Sequence, residues 1–64
     1  MSFQVVLIWD DRGDEHQIAV SGSASYEEAE AKALVHARNV LGLNVEGAGE
    51  GEVVATITAG MTAI

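Results

Sequence analysis

The sequence predicts an α+β fold: a ββαββ chain forming one four-stranded sheet with a single helix on one face. Three observations carry this. Apolar residues alternate with period two over 3–9, 16–21 and 53–59. They recur with a 3.6-residue period over about 26–41. Glycine or Asp/Asn clusters separate each of these stretches from the next.

The first strand places Phe3, Val5, Leu7 and Trp9 on one face and Gln4, Val6 and Ile8 on the other. It ends at Asp10-Asp11-Arg12-Gly13-Asp14, where Gly13 suits a positive φ and the Asp side chains suit capping of turn amides. His16 to Ser21 forms the return strand, with Ile18 and Val20 inward and Gln17 and Ala19 outward. Ser25 followed by Glu28 is a capping-box spacing, and Glu27, Glu28 and Glu30 lie at the positive end of the helix dipole. The expected buried stripe is Tyr26, Ala29, Ala33, Ala37, Val40 and Leu41. Gly42 is placed to end the helix in a left-handed conformation. A short strand is expected at 43–46, a mobile glycine loop at Gly47-Ala48-Gly49-Glu50-Gly51 and a last strand at 53–59, with residues 60–64 as a flexible tail. The whole chain, 1–64, is then a single domain.

The simplest sheet has the first and last strands parallel at its centre. In architecture this resembles the β-grasp domains, such as the bacterial immunoglobulin-binding modules, although no residue motif of that family is present. If 43–51 is loop, the alternative is a three-stranded ββαβ sheet. That arrangement resembles the HicB-type antitoxins but lacks their Pro-Asp-x-Pro-Gly stretch between strand and helix.

Length and composition limit the function. A 64-residue chain without cysteine has neither disulfides nor thiolate metal sites. Its stability must come from packing, helix propensity or association with another chain. Ten acids against three bases leave a net charge of −7. Residues 1–22 carry four acids against Arg12, residues 23–42 three against Lys32 and Arg38, and residues 43–64 three against none. No cluster of bases is available to release counterions, which argues against direct nucleic-acid binding. The longest apolar run, Val5 to Trp9, is far too short for a membrane span, so the expected setting is soluble and cytoplasmic.

The candidate chemistries are weak. The glycines at 47–51 precede a strand and sit among Glu46, Glu50 and Glu52, whereas a phosphate cradle leads into a helix N-terminus. Arg12-Gly13-Asp14 is the tripeptide that integrins read, but three residues match too often by chance. Asp10, Asp11, Asp14 and Glu15 are hard oxygen donors in a loop too short to wrap a calcium ion. His16 and His36, with Ser21, Ser23 and Ser25, lack a nucleophile elbow and a cleft. Trp9 and Tyr26 fall at positions expected to be core. No catalytic residue, cofactor or metal is expected.

The remaining feature is the sheet face that the helix leaves uncovered. Val6, Ile8 and Val54, with Ala19 and Thr56 beside them, would form a mid-sheet apolar patch, the usual mark of a protein interface. Val6, Ile8, Val54 and Thr56 are therefore the expected interface. The acids Asp10, Asp11, Asp14, Glu15, Glu46, Glu50 and Glu52 lie in two expected hairpin tips at opposite ends of the molecule. The expected function is a non-enzymatic acidic domain that binds a protein partner with a basic surface, in the manner of an inhibitor or nucleic-acid mimic. The alternative is a structural homo-oligomer, a homodimer in the simplest case, pairing through its open sheet face.

Overall fold

In a computed structural model describing residues 2–64, the elements run β1 (Phe3–Asp10), β2 (Glu15–Ser21), α1 (Tyr26–Asn39), β3 (Val45–Val54) and β4 (Met61–Ala63). The predicted α+β class and ββαββ order hold, with four strands in one mixed sheet. The strand arrangement differs from the expected one. The order is β3-β1-β2-β4, with β1 antiparallel to both β2 and β3, and β4 parallel to β2 at the edge.

The β1–β2 hairpin is fixed by its turn. Asp10 N–H donates to the Asp14 carbonyl and Gly13 N–H to the Asp10 carbonyl, both at 3.1 Å, with Gly13 at φ 84°. That closure sets Val6 opposite Ile18 and Ile8 opposite His16. Residues directly opposite one another share a face, so Val6 and Ile8 join Ile18 and Val20 under the helix.

Helix α1 starts where its cap predicts: the Ser25 hydroxyl accepts from Glu28 N–H at 3.3 Å. It ends at Asn39, where Gly42 at φ 68° turns the chain back and Leu43 N–H reaches the Ala37 carbonyl at 2.9 Å. Ala29, Ala33 and Ala37 are wholly buried, with Tyr26 and Leu34 packed beside them, while Val40 and Leu41 stay exposed beyond the last turn. A helix that contacts the sheet through alanines lies close to it. The room left beneath suits Val6, Ile8, Ile18 and Val20 rather than Phe3 and Trp9.

This corrects the expected interface. Val6 and Ile8 are 0% exposed, the centre of the core, and the patch proposed on them does not exist. It also corrects Trp9, which lies on the opposite face with 36% of its surface exposed.

The glycine stretch is the middle of β3 and not a loop. Gly47 and Gly49 pair with Trp9 and Leu7. A Cβ on Gly49 would lie 3.1 Å from Trp9 Cη2, and one on Gly51 2.9 Å from Val5 Cγ1. Alternate glycines thus let the large β1 side chains rest on the β3 backbone. The expected strand at 53–59 is only the end of β3 followed by a link over 55–60. The tail is ordered too: Met61–Ala63 forms β4, and Ile64 N–H donates to the Ala19 carbonyl at 2.9 Å.

Strands β2 and β3, both antiparallel to β1, are parallel to each other and joined through α1. Strands β3 and β4 are likewise parallel, but the link between them runs back across the sheet in the opposite direction. Right-handed connection sends that return over the face α1 leaves free. Val5 and Ala19, which point to that far face, are 3% and 0% exposed, as that path requires.

Candidate functional site

Beside the link, the far face carries a shallow groove of about 570 Å³. Its floor is Val5 and Leu7 of β1, with Val54 at the end of β3 and Met61 at the start of β4. Glu15 and Gln17 of β2 border it on one side and Glu50 and Glu52 of β3 on the other; among the described residues no base lines it. Leu7, Val54 and Met61 are half-buried, and Glu15, Glu50 and Glu52 are exposed. The groove exists because odd-numbered β1 residues face away from the helix and Gly51 gives Val5 its space. Chemically it offers apolar contact inside an acidic border.

Of the four residues expected to form the interface, Val54 alone lines this groove. Thr56 lies exposed in the 55–60 link, and Val6 and Ile8 are core. Leu7 and Met61 were missed by the sequence reading. Leu7 shares the parity of Trp9, and either face of β1 is apolar, so alternation alone does not choose between them. The hairpin register does: Ile18, expected inward, is paired with Val6 once Asp10 faces Asp14.

The acids also divide differently. Asp10 is not surface charge: it is 3% exposed, and its Oδ1 accepts from Arg12 N–H at 2.9 Å and Asp14 N–H at 3.0 Å. Its Oδ2 accepts from His16 Nε2 at 2.9 Å. The His16 hydrogen bond, with the two backbone amides, holds the carboxyl below its ordinary value of 3.8 against the opposing effect of burial. Asp11 and Asp14 remain exposed, with Asp11 Oδ2 accepting from Asn44 Nδ2 at 3.1 Å. Because Val45 pairs with Asp10, Glu46 lies at the hairpin-tip end and shares a surface depression with Asp11 and Arg38. Glu50, opposite Val6, carries its side chain to the helix side and joins the helix start, while its place on the edge strand also borders the far-face groove. Its charge, with those of Glu30 and Glu27, adds to the upward shift of the Tyr26 phenol to about 12. The main causes are burial and the 2.6 Å bond that the Tyr26 hydroxyl donates to Glu30. The acids of 46–52 are thus spread along β3 from the hairpin-tip end towards the helix start, while Asp11, Asp14 and Glu15 stay together at the β1–β2 hairpin.

A second groove, of about 560 Å³, lies between α1 and the β2–β4 edge. Val20, Val35, Val40 and Ile64 line it together with Lys32 and His36, and Val35 and Val40 are 58% and 68% exposed. The buried His36 Nε2 has no hydrogen-bond partner among the described residues. Among the described residues no three His, Cys, Asp or Glu side chains gather as a metal site would require, and no helix is long and apolar enough to cross a membrane. No family model, curated protein sequence or solved structure matches this chain.

Proposed function

We propose that this domain is a non-enzymatic protein-binding module whose far sheet face receives an apolar segment of a basic partner. One observation carries the reading: the groove floored by Val5, Leu7, Val54 and Met61 is bordered by Glu15, Glu50 and Glu52 and, among the described residues, by no base. Apolar contact would supply affinity, and the acidic border would raise the association rate and select against acidic partners. A net charge of −7 on 64 residues supports the same sign of partner. Occupation of a basic surface in this way is the action of an inhibitor, or of a mimic that competes with nucleic acid for it.

Peptides selected from a displayed random library against the folded domain test this. Selected sequences should carry apolar residues flanked by Lys or Arg, and Leu7→Glu should abolish their binding while leaving the circular dichroism of the fold intact. Selection without basic enrichment, or binding indifferent to Leu7→Glu, overturns the proposal.

A second reading, a homo-oligomer, is favoured by the exposed Val35 and Val40 in the helix-side groove, and not by the far face. Val35→Glu would then convert a sedimenting dimer to a monomer. A wild-type monomer at millimolar concentration rejects this reading.

A further inference from the structure

Strand β3 is an edge of the sheet along its whole ten residues. The hydrogen-bond phase of the hairpin shows which of its backbone groups are free. Asp10 N–H bonds towards β2, so even-numbered β1 residues face β2 and odd-numbered ones, Leu7 and Trp9, face β3. Their partners Gly49 and Gly47 therefore turn inward to β1. The Gly51 carbonyl follows the same phase, accepting from Gln4 Nε2 at 3.0 Å. The N–H and C=O groups of Ala48 and Glu50 consequently point outward, and among the described residues no chain segment covers them. The register shifts fall on either side of the stretch from Gly47 to Glu50, leaving it regularly paired between two bulges.

Beside this edge, on the helix side, is a depression of about 260 Å³ lined by Leu34 and Val45 and bordered by Glu30, Glu46 and Arg38. That is room for one long side chain whose apolar stem meets Leu34 and Val45 and whose charged end reaches Glu30 and Glu46. An edge that presents free backbone groups next to a side-chain pocket is the arrangement by which sheets take on an extra strand. Main-chain bonds then give affinity and the pocket gives selectivity.

We propose that the β3 edge binds an extended basic peptide as a fifth strand, its backbone bonding to Ala48 and Glu50 and a Lys or Arg entering the pocket beside Glu30 and Glu46. The proposal takes the basic character of the partner from the function proposed above. Charge decides between occupants: Glu46, Glu50 and Glu52 favour a basic strand, whereas an antiparallel second copy would bring the same three acids of both edges together.

The test uses a blocked nine-residue peptide alternating lysine with threonine, and its counterpart with glutamate for lysine. With the lysine peptide bound, amide exchange at Ala48 and Glu50 should slow by about tenfold or more while exchange at Gly47 and Gly49 is unchanged. Ala48→Pro removes an outward N–H and no ladder bond, so the fold should persist and peptide affinity fall about tenfold. Glu30→Gln with Glu46→Gln should weaken binding and reduce its salt dependence. Four results overturn the proposal: no binding, unchanged exchange at Ala48 and Glu50, full affinity of Ala48→Pro, or protection of the edge by self-association without peptide. If Leu7→Glu alone abolishes lysine-peptide binding, the edge proposal fails and the far-face function stands. If the glutamate peptide protects the edge equally, the edge takes strands but the basic partner is lost from both proposals.

Discussion

Asp10 shows how one side chain sets the geometry of a hairpin. Its carboxylate is almost wholly buried and all its bonds are to the turn it closes, two backbone amides and His16. Since these bonds favour the ionised form, its folded pKa lies below the unfolded value, and the associated stability is present above about pH 4 and lost as pH falls through the folded pKa. Asp10→Ala should lower the urea midpoint at neutral pH and remove much of the wild type's acid sensitivity; an unchanged pH profile would mean that the turn does not depend on the carboxylate. Tyr26 shifts the opposite way. Its phenol, raised to about 12, favours the protonated folded form, so stability should decline as pH rises from about 10 towards 12. The chain has a single tyrosine, and the rise of phenolate absorbance reads this directly. The glycines of β3 also separate by contact. Gly51→Ala meets the Val5 side chain and carbonyl at about 3 Å and should cost about 1–3 kcal/mol in urea unfolding. Gly49→Ala meets only the outer end of the partly exposed Trp9 ring, which has room to swing, and should cost less.

At the scale of elements, the helix was the most legible part of the sequence because its signals are local. Ser25, Glu28, the alanine stripe and Gly42 all act within one or two turns, and only the end shifted, from about residue 41 to Asn39. Ser25→Ala should cost about 1 kcal/mol through the lost cap. Ala33→Leu should cost about 1–3 kcal/mol or more by lifting the helix from Val6 and Ile18. The third strand was illegible for the converse reason. Glycine in alternation carries no strand signal of its own; its meaning here lies in Trp9 and Val5, some forty residues away. Nor does a strand of three residues, as β4 is, leave a periodic pattern long enough to read. The candidate site suffered from the same limit, since β1 is apolar on both faces and the helix's choice of face rests on register. A three-residue loop, Asp11 to Gly13 with Gly13 in the left-handed position, ties Ile18 to Val6 and would have put Leu7 rather than Val6 on the far side.

For the whole molecule, the two faces of β1 predict opposite outcomes for neighbouring substitutions. A core of this size supplies roughly 3–5 kcal/mol net, so Val6→Glu, which places an unpaired charge among Ile18, Val20 and the alanines, should leave the chain unfolded. Leu7→Glu should leave it folded; a Val6→Glu protein with wild-type circular dichroism would reverse the assignment of faces. The position of Trp9 adds a practical property. It is the only tryptophan, anchored in the central strand and resting on the glycines of an edge strand far from it in sequence. Its emission is therefore an optical gauge of whether β3 is seated, while far-ultraviolet ellipticity is weighted towards α1. Coincidence of the two in a denaturant titration would show the edge and the helix leaving together; an earlier change in emission would show the sheet opening from its β3 margin while the helix still holds.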